Sequence, residues 1–186
     1  GLEDVKDPSE TFLTGRISKA VGSVVVSTLE GTRPLLVEIQ ALTVPTVLSM
    51  PRRMATGVDH SRLVLVCSVL TRRLGLRLSN QDVLVNVVGG LKVSEPAGDL
   101  AIALAIVSSY RDVPVNSDTV LIGEVGLTGE LRVVSQLDRR LNEVSRLGLK
   151  RCIVPSGSVS NSGSVAGLEI VEMGTLDQAV NFLVGA

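Results

Sequence analysis

Aromatic residues are nearly absent from this chain of 186 residues, which has no Trp, one Tyr and two Phe. Hydrophobic residues still make up 45% of the sequence. A core of that size has to be built from Val, Leu, Ile and Ala. The length predicts one domain with at most a small appendage.

Metal-binding and disulfide-forming residues are also scarce, with one His and two Cys. These numbers argue against a zinc site and a disulfide framework, and they favour a reducing, intracellular setting. Cys67 falls on the apolar face of a predicted helix and Cys152 opens a predicted strand, so we expect two inert core thiols. His60 directly follows a helix cap, where a surface role is the default interpretation.

No excess of charge of one sign and no long apolar run is present. The net charge of −1 means that nucleic-acid binding would require cations gathered on one face. The best apolar stretch, residues 100–109, has about half the length that a membrane span needs. The acidic start, residues 1–4, is not typical of a signal peptide, and no Gly-rich loop ends in Lys followed by Ser or Thr, so nucleotide hydrolysis is not predicted.

A strand, a buried helix and a second strand organise the centre of the chain. The β-branched run 83–88 predicts a buried strand. Ser94 or Glu95 can cap a helix with Pro96 in its first turn, and this helix is almost wholly apolar over 100–107. With a buried strand at 119–125, followed by a turn and a short strand, the pattern predicts a βαβ unit and an α/β fold.

The flanking sequence predicts further elements. Alternation of Val37 and Ile39 with Glu38 and Gln40 predicts a β-hairpin with one polar face. The other predicted elements are hairpin strands at 22–29 and 34–44, a connector at 45–58, a helix at 60–74 between Asp59 and Gly75, a helix at 138–147, strands at 152–155 and 168–171, a mobile loop at 156–167 and a helix at 176–184.

Candidate reactive and binding residues are few. Lys92 and Ser94 alternate on one face of an extended segment, and a Ser–Lys pair performs acyl transfer when the Lys is desolvated. A spacing of two residues occurs often by chance, so surface residues are the default interpretation. The basic residues fall into small groups, for which solvated surface positions are the default interpretation unless several copies of the chain surround a pore. The groups are Arg52/Arg53, Arg72/Arg73/Arg77, Arg132, Arg139/Arg140 and Lys150/Arg151.

Five blocks of sequence resemble the C-terminal domain of the RadA (Sms) family of DNA-repair proteins. They are residues 31–42 (GTRPLLVEIQAL), 53–57 (RMATG), 75–82 (GLRLSNQD), 95–101 (EPAGDLA) and 122–130 (IGEVGLTGE). The blocks occur in the family's order, and the resemblance covers nearly the whole chain. That domain is similar to the proteolytic domain of Lon proteases. The resemblance therefore implies a Lon-protease-like α/β fold for residues 16–186, a mixed sheet with packed helices and an N-terminal β-hairpin, preceded by a linker at 1–15.

The resemblance also implies that peptidase chemistry is absent. Lon proteases use a Ser–Lys dyad, whose Ser lies in the motif Asp-Gly-Pro-Ser-Ala-Gly. Matching Ala-Gly to Ala97 and Gly98 places Pro96 at the Ser position, and Asp138 falls at the Lys position. Proline cannot act as a nucleophile and a carboxylate cannot replace a neutral amine as its base, so we expect no catalytic residues and no enzyme in this chain.

Proteins of this family carry a zinc finger and a RecA-like ATPase, which implies ATP, Mg and Zn for the full-length protein but no cofactor or metal here. The family further implies a hexameric ring on single-stranded DNA, branch migration of recombination intermediates and a recombinase partner. The setting would be the bacterial cytoplasm, or a chloroplast or mitochondrion in a plant, with no membrane partner. The DNA-contact candidates are Arg132, Arg139 and Arg140, near the dyad positions, then Arg72, Arg73 and Arg77. The rivals are a peptidase with a displaced Lys92–Ser94 dyad and an oligomerisation module without DNA contact.

Overall fold

The computed structural model describes residues 7–159 and 164–185. Its helices and strands, in chain order, are α1 (Pro8–Leu13), β1 (Ser23–Glu30), β2 (Arg33–Pro45), β3 (Arg53–Thr56), α2 (His60–Leu74), β4 (Gln81–Val87), α3 (Asp99–Arg111), β5 (Thr119–Leu121), β6 (Glu124–Val125), β7 (Leu131–Arg132), α4 (Leu137–Arg146), β8 (Arg151–Pro155), β9 (Glu169–Met173) and α5 (Leu176–Val184). None of the helices in these ranges is both long and apolar enough to cross a bilayer.

Seven strands form one mixed sheet in the order β3-β4-β2-β1-β5-β8-β9. Strand β2 runs antiparallel to both of its neighbours, and all other neighbouring pairs are parallel. β6 and β7 form a separate two-stranded ribbon. The α/β class and the N-terminal hairpin predicted from the sequence are confirmed.

Two hydrophobic cores lie on opposite faces of the sheet because alternate residues of a strand point to opposite sides. Val24 and Val26 belong to the core beneath α2, α3 and α5. Val25 belongs to the smaller core beneath α4, to which Leu13 of α1 also contributes. The sheet thus has helices on both faces, as expected for a mostly parallel sheet.

Helix α3 is the central element, as predicted, and every residue from Asp99 to Ser108 is buried. A single 3₁₀ turn, Pro96–Gly98, leads into it. The Leu100 amide donates to the Gly123 carbonyl at 3.0 Å, and the Gly123 amide donates to the Ala97 carbonyl at 3.0 Å. The prediction that the Ser94 or Glu95 side chain caps this helix is wrong, because neither the turn nor α3 begins with a side-chain cap.

The prediction of a polar face on the hairpin is only half right. Gln40 is exposed, but Glu38 is buried, and it accepts a hydrogen bond from the Ser23 hydroxyl at 2.6 Å. Helix α3 contacts one face of β2 and helices α1 and α4 contact the other, so both of its faces are partly covered. The predicted connector at 45–58 also contains a strand, β3, which pairs parallel with β4.

Residues 8–13 form helix α1 within the stretch predicted to be a linker. Ser9 is buried, accepts a hydrogen bond from the Leu36 amide at 3.0 Å and donates to Glu143 at 3.0 Å. Arg146 of α4 binds the Asp7 carboxylate at 2.6 Å. These contacts fix α1 to the sheet and to α4.

The remaining predicted elements are confirmed within a few residues, except that the single strand predicted at 119–125 is divided into β5 and β6, which belong to different sheets. Helix α2 ends at Gly75, whose φ of 74° lies in the left-handed region that glycine adopts readily. Strands β8 and β9 and helix α5 lie where the pattern predicted them. Of the loop predicted to be mobile, residues 160–163 lie outside the described part of the chain.

Candidate functional site

The two segments to which the resemblance assigns the Lon dyad positions lie next to each other in the structure. Pro96 stands in the turn before α3 and Asp138 in the first turn of α4. A two-point ion pair joins the segments, because Arg140 Nη1 and Nη2 donate to Glu95 Oε1 and Oε2, each at 2.7 Å. The neighbours of the dyad positions, rather than the positions themselves, make the contact.

Arg140 is the largest fully buried side chain in the described chain. Besides Glu95, its guanidinium donates to the Ser135 and Ser27 carbonyls, each at 2.9 Å. Glu95 Oε1 also accepts from the Leu29 amide at 3.0 Å. The pair therefore ties β1, the turn before α3 and α4 together. The prediction of Arg140 as a DNA contact does not agree with this burial, so we leave Arg140 out of the DNA-contact candidates.

Neither dyad position offers a reactive group. Pro96 and Asp138 are exposed, and they supply neither a hydroxyl nor an amine, the two groups that a Ser–Lys mechanism needs. The alternative pair, Lys92 and Ser94, is not in a catalytic environment either, because both side chains are exposed to solvent. A lysine acts as the base in such a pair when it is desolvated, a condition that an exposed side chain does not meet.

A second buried ion pair, which the sequence analysis missed, lies at the start of α3. Asp99 is fully buried and binds Arg62 of α2 through both carboxylate oxygens, with Nε to Oδ1 at 3.0 Å. It also accepts from the Val125 amide at 3.1 Å. Burial raises the pKa of Asp99, and the hydrogen bonds from Arg62 and Val125 oppose that rise. A lone carboxylate opening an apolar helix was a usable signal, because a buried charge needs a partner.

Four of the remaining arginine candidates lie on elements that meet at one surface. The Arg73 guanidinium donates to the Leu127 carbonyl at 3.3 Å, which brings the end of α2 against the turn of the β6–β7 ribbon. Arg72 and Arg77 lie at the same end of α2 as Arg73, and Arg132 lies on the ribbon. All four side chains are exposed.

Arg139 lies apart, at the β1–β2 turn. Its guanidinium donates to the Thr32 carbonyl at 3.2 Å, next to the exposed Arg33. Arg33 was not among the predicted contacts, since it appears in the sequence only as a turn residue. By contrast His60 is exposed and both cysteines are buried, as predicted.

A family model described as subunit ChlI of Mg-chelatase matches residues 53–158, from β3 to the turn after β8. Among curated proteins, the DNA repair protein RadA of Halalkalibacterium halodurans is 49% identical over 185 residues, which cover 100% of this chain and 40% of that protein. RadA of Bacillus subtilis is 47% identical over 185 residues, again 100% and 40%. RadA of Listeria monocytogenes is 46% identical over 180 residues, 97% of this chain and 39% of that protein.

The chain therefore spans about 40% of the length of these relatives. Both comparisons cover the central region that holds the two buried ion pairs. The chain belongs to the family described as subunit ChlI of Mg-chelatase, and along its whole length it is similar to proteins named DNA repair protein RadA, which confirms the resemblance drawn from its sequence blocks.

Proposed function

We propose that this chain is a non-proteolytic, Lon-like scaffold of a RadA-type DNA repair and recombination protein. In this role it assembles copies of the protein into a ring and places DNA for an attached ATPase. The observation that carries the proposal is the ion pair between Glu95 and Arg140. This pair joins the two dyad segments through two hydrogen bonds between its charged groups, while Pro96 and Asp138 supply no reacting group.

The DNA-binding part of the proposal rests on exposed arginines. Arg72, Arg73 and Arg77 lie at the end of α2 that contacts the turn of the ribbon carrying Arg132, and Arg139 lies with Arg33 at the hairpin turn. Guanidinium groups bind phosphate oxygens through paired hydrogen bonds. One such cluster binds DNA only weakly, but when several copies of the chain surround a pore, the electrostatic potentials of their clusters add.

The experiment is a single-stranded DNA binding titration at several salt concentrations. The first variant combines Arg72→Gln, Arg73→Gln and Arg132→Gln, and the second combines Arg33→Gln with Arg139→Gln. Lys150→Gln, which removes an exposed cation from the loop before β8, is the matched control. We expect the affinity to fall and the salt dependence to become shallower in at least one arginine variant, but not in the control.

If neither arginine variant changes the affinity or its salt dependence, the DNA-binding role is wrong. Light scattering on the same samples then separates the remaining possibilities. A ring-sized mass without DNA binding would leave a pure oligomerisation module. The ATP-driven branch migration, the hexameric state, the recombinase partner and the intracellular setting belong to the proposal for the whole protein, and the names of the RadA relatives support the DNA-repair part of it.

A further inference from the structure

The half of the sheet formed by β2, β4 and β3 has an open face. Helices α1 and α4 contact β2 and cover the rest of this face, but Leu42 near the end of β2 is exposed, and in the described residues no helix lies over β3 and β4 on this side. A cleft of about 470 Å³ lies here. The register of the three strands places Met54, Leu84 and Leu42 side by side across its floor.

The floor of the cleft is apolar and accessible. Leu42 is 56% exposed and Met54 is 51% exposed. Next to this apolar row, the same register aligns the polar side chains of Thr56, Asn86 and Gln40. Sheets built mainly of parallel strands normally have both faces covered, and a contiguous exposed apolar surface marks a binding site.

The chain also carries a protruding apolar loop at residues 46–52, between β2 and β3. Val47 is 101% exposed, Met50 is 79% exposed and Leu48 is 52% exposed. Fully exposed Val and Met side chains contribute nothing to the core of their own chain. We call residues 46–52 the apolar loop.

The base of the apolar loop is fixed to the sheet. The Thr46 amide donates to the Asn80 carbonyl at 2.9 Å, and the Arg52 amide donates to Asp82 Oδ1 at 2.7 Å. The Arg52 guanidinium adds an ion pair with Asp82 Oδ2 at 2.9 Å. These contacts fix both ends of the loop, which limits the conformations of the tip and so reduces the entropy lost when the tip binds a partner.

We propose that the apolar loop of one copy inserts into the cleft of a second copy, with Val47 and Met50 packed on Leu42 and Met54. The inference rests on the proposed ring assembly and gives it an interface. The loop and the cleft are different surfaces, so each copy both donates a loop and receives one. A contact of this head-to-tail kind generates a closed ring when its rotation closes, and a filament when it does not.

Light scattering on three variants tests this assignment. The loop variant combines Val47→Asp and Met50→Asp, the cleft variant combines Leu42→Asp and Met54→Asp, and the control is Ile17→Asp, which alters another exposed apolar residue (73%). We expect the wild type and the control to assemble, and the loop and cleft variants each to be monomeric. Circular dichroism verifies that each variant is folded, and the Ser substitutions at the same positions serve if an Asp variant is not.

A one-to-one mixture of the loop and cleft variants is the decisive sample. The loop variant keeps an intact cleft and the cleft variant keeps an intact loop, so one productive contact remains possible. We expect the mixture to form a dimer that cannot grow further. A face-to-face contact between two clefts or between two loops would instead let one of the two variants associate with itself, and a monomeric mixture would show that the loop does not enter the cleft; either result would overturn the proposal.

Disulfide trapping gives an independent reading of the same contact. The native cysteines are buried, so Val47→Cys chains mixed with Leu42→Cys chains should form a cross-linked heterodimer under oxidation, while Ile17→Cys with Leu42→Cys should not.

If both Asp variants keep the wild-type mass, the loop-in-cleft contact is wrong but ring assembly stands. If the wild type is monomeric at every concentration, both the interface and the assembly role fail, while the DNA titration still reports on the arginines.

Discussion

Arg140 and Glu95 are 45 residues apart in sequence, yet they form a two-point ion pair with both N–O distances at 2.7 Å. The Arg140 side chain is fully buried, and the Glu95 side chain is 24% exposed. The pair connects the segment before α3 with the start of α4, the two segments that a Lon-type dyad would use.

Replacing Arg140 by Met should lower the free energy of unfolding by about 3 kcal/mol. The change leaves the Glu95 carboxylate with one partner fewer on each oxygen and frees the Ser27 and Ser135 carbonyls. Urea denaturation measures the loss. Glu95→Gln should cost less, because the amide oxygen still accepts a hydrogen bond, and in the double variant the two losses should not add. Additive losses would show that the pair contributes nothing as a unit.

Replacing Arg62 by Met should produce a stability loss that depends on pH. Burial raises the pKa of Asp99, and this substitution removes the hydrogen bonds from Arg62 that oppose the rise, leaving only the one from the Val125 amide. A carboxyl whose pKa is higher in the folded state destabilises the fold at pH values above its unfolded pKa. The loss should therefore be small near pH 4, the ordinary pKa of Asp being about 3.9, and should grow as the pH rises through the folded-state pKa.

The measurement is a set of urea denaturation curves between pH 4 and pH 8 for the wild type, Arg62→Met and the double variant with Asp99→Asn. In the double variant no carboxyl titrates at this position, so its loss relative to wild type should vary less with pH. A loss in Arg62→Met that does not change with pH would contradict the explanation.

Acid should weaken the attachment of α1. The hydrogen bonds from Arg146 hold the pKa of Asp7 below its ordinary value. A carboxyl with a lowered folded-state pKa stabilises the fold above its unfolded pKa, about 3.9, and that contribution is lost as the pH falls through the folded-state value. Amide hydrogen exchange at Leu36, which donates to Ser9 of α1, should show less protection in this range. Asp7→Asn should remove this pH dependence while leaving exchange in β8 unchanged.

Ser94→Ala and Lys92→Ala should leave any peptide cleavage by the purified chain at background level. Both side chains are exposed, and neither environment activates a nucleophile or its base. Casein cleavage with wild type and both variants checks this. Cleavage by wild type that disappears in Ser94→Ala would revive the peptidase alternative.

The two thiols should react slowly with a thiol reagent in the folded protein and rapidly in denaturant. Burial raises the pKa of Cys67 to about 11 and raises the pKa of Cys152 as well, so little reactive thiolate exists near neutral pH. The time course of labelling with and without urea measures this. Fast labelling in the native state would indicate that α2 or β8 opens.

Elements with a strong local pattern were predictable, and contacts between distant segments were not. The spacing of Leu63, Val66 and Leu70 identifies α2 because a helix repeats every 3.6 residues. β3 was missed because its four residues, which follow Pro51 and Arg52 and precede Gly57, carry too short a pattern. Its strand conformation depends on pairing with β4.

At the candidate site the same limit applies. The degenerate positions Pro96 and Asp138 could be found by matching motifs, but Arg140 looked like its exposed neighbour Arg139. Its burial depends on Glu95 and Ser27, which are remote in sequence and come together only in the folded sheet. Charge pattern along one helix cannot distinguish a buried arginine whose partner lies elsewhere in the chain.

The central position of β1 has a consequence for how this chain is made. On one side β1 pairs with β2 through a two-residue turn, but on the other side Val25 pairs with Val120. A ribosome releases the first hairpin long before it releases β5, so one edge of β1 stays unpaired while most of the domain is synthesised. Exposed strand edges of this kind promote aggregation and slow folding, so the nascent chain is most prone to aggregation before β5 has been synthesised.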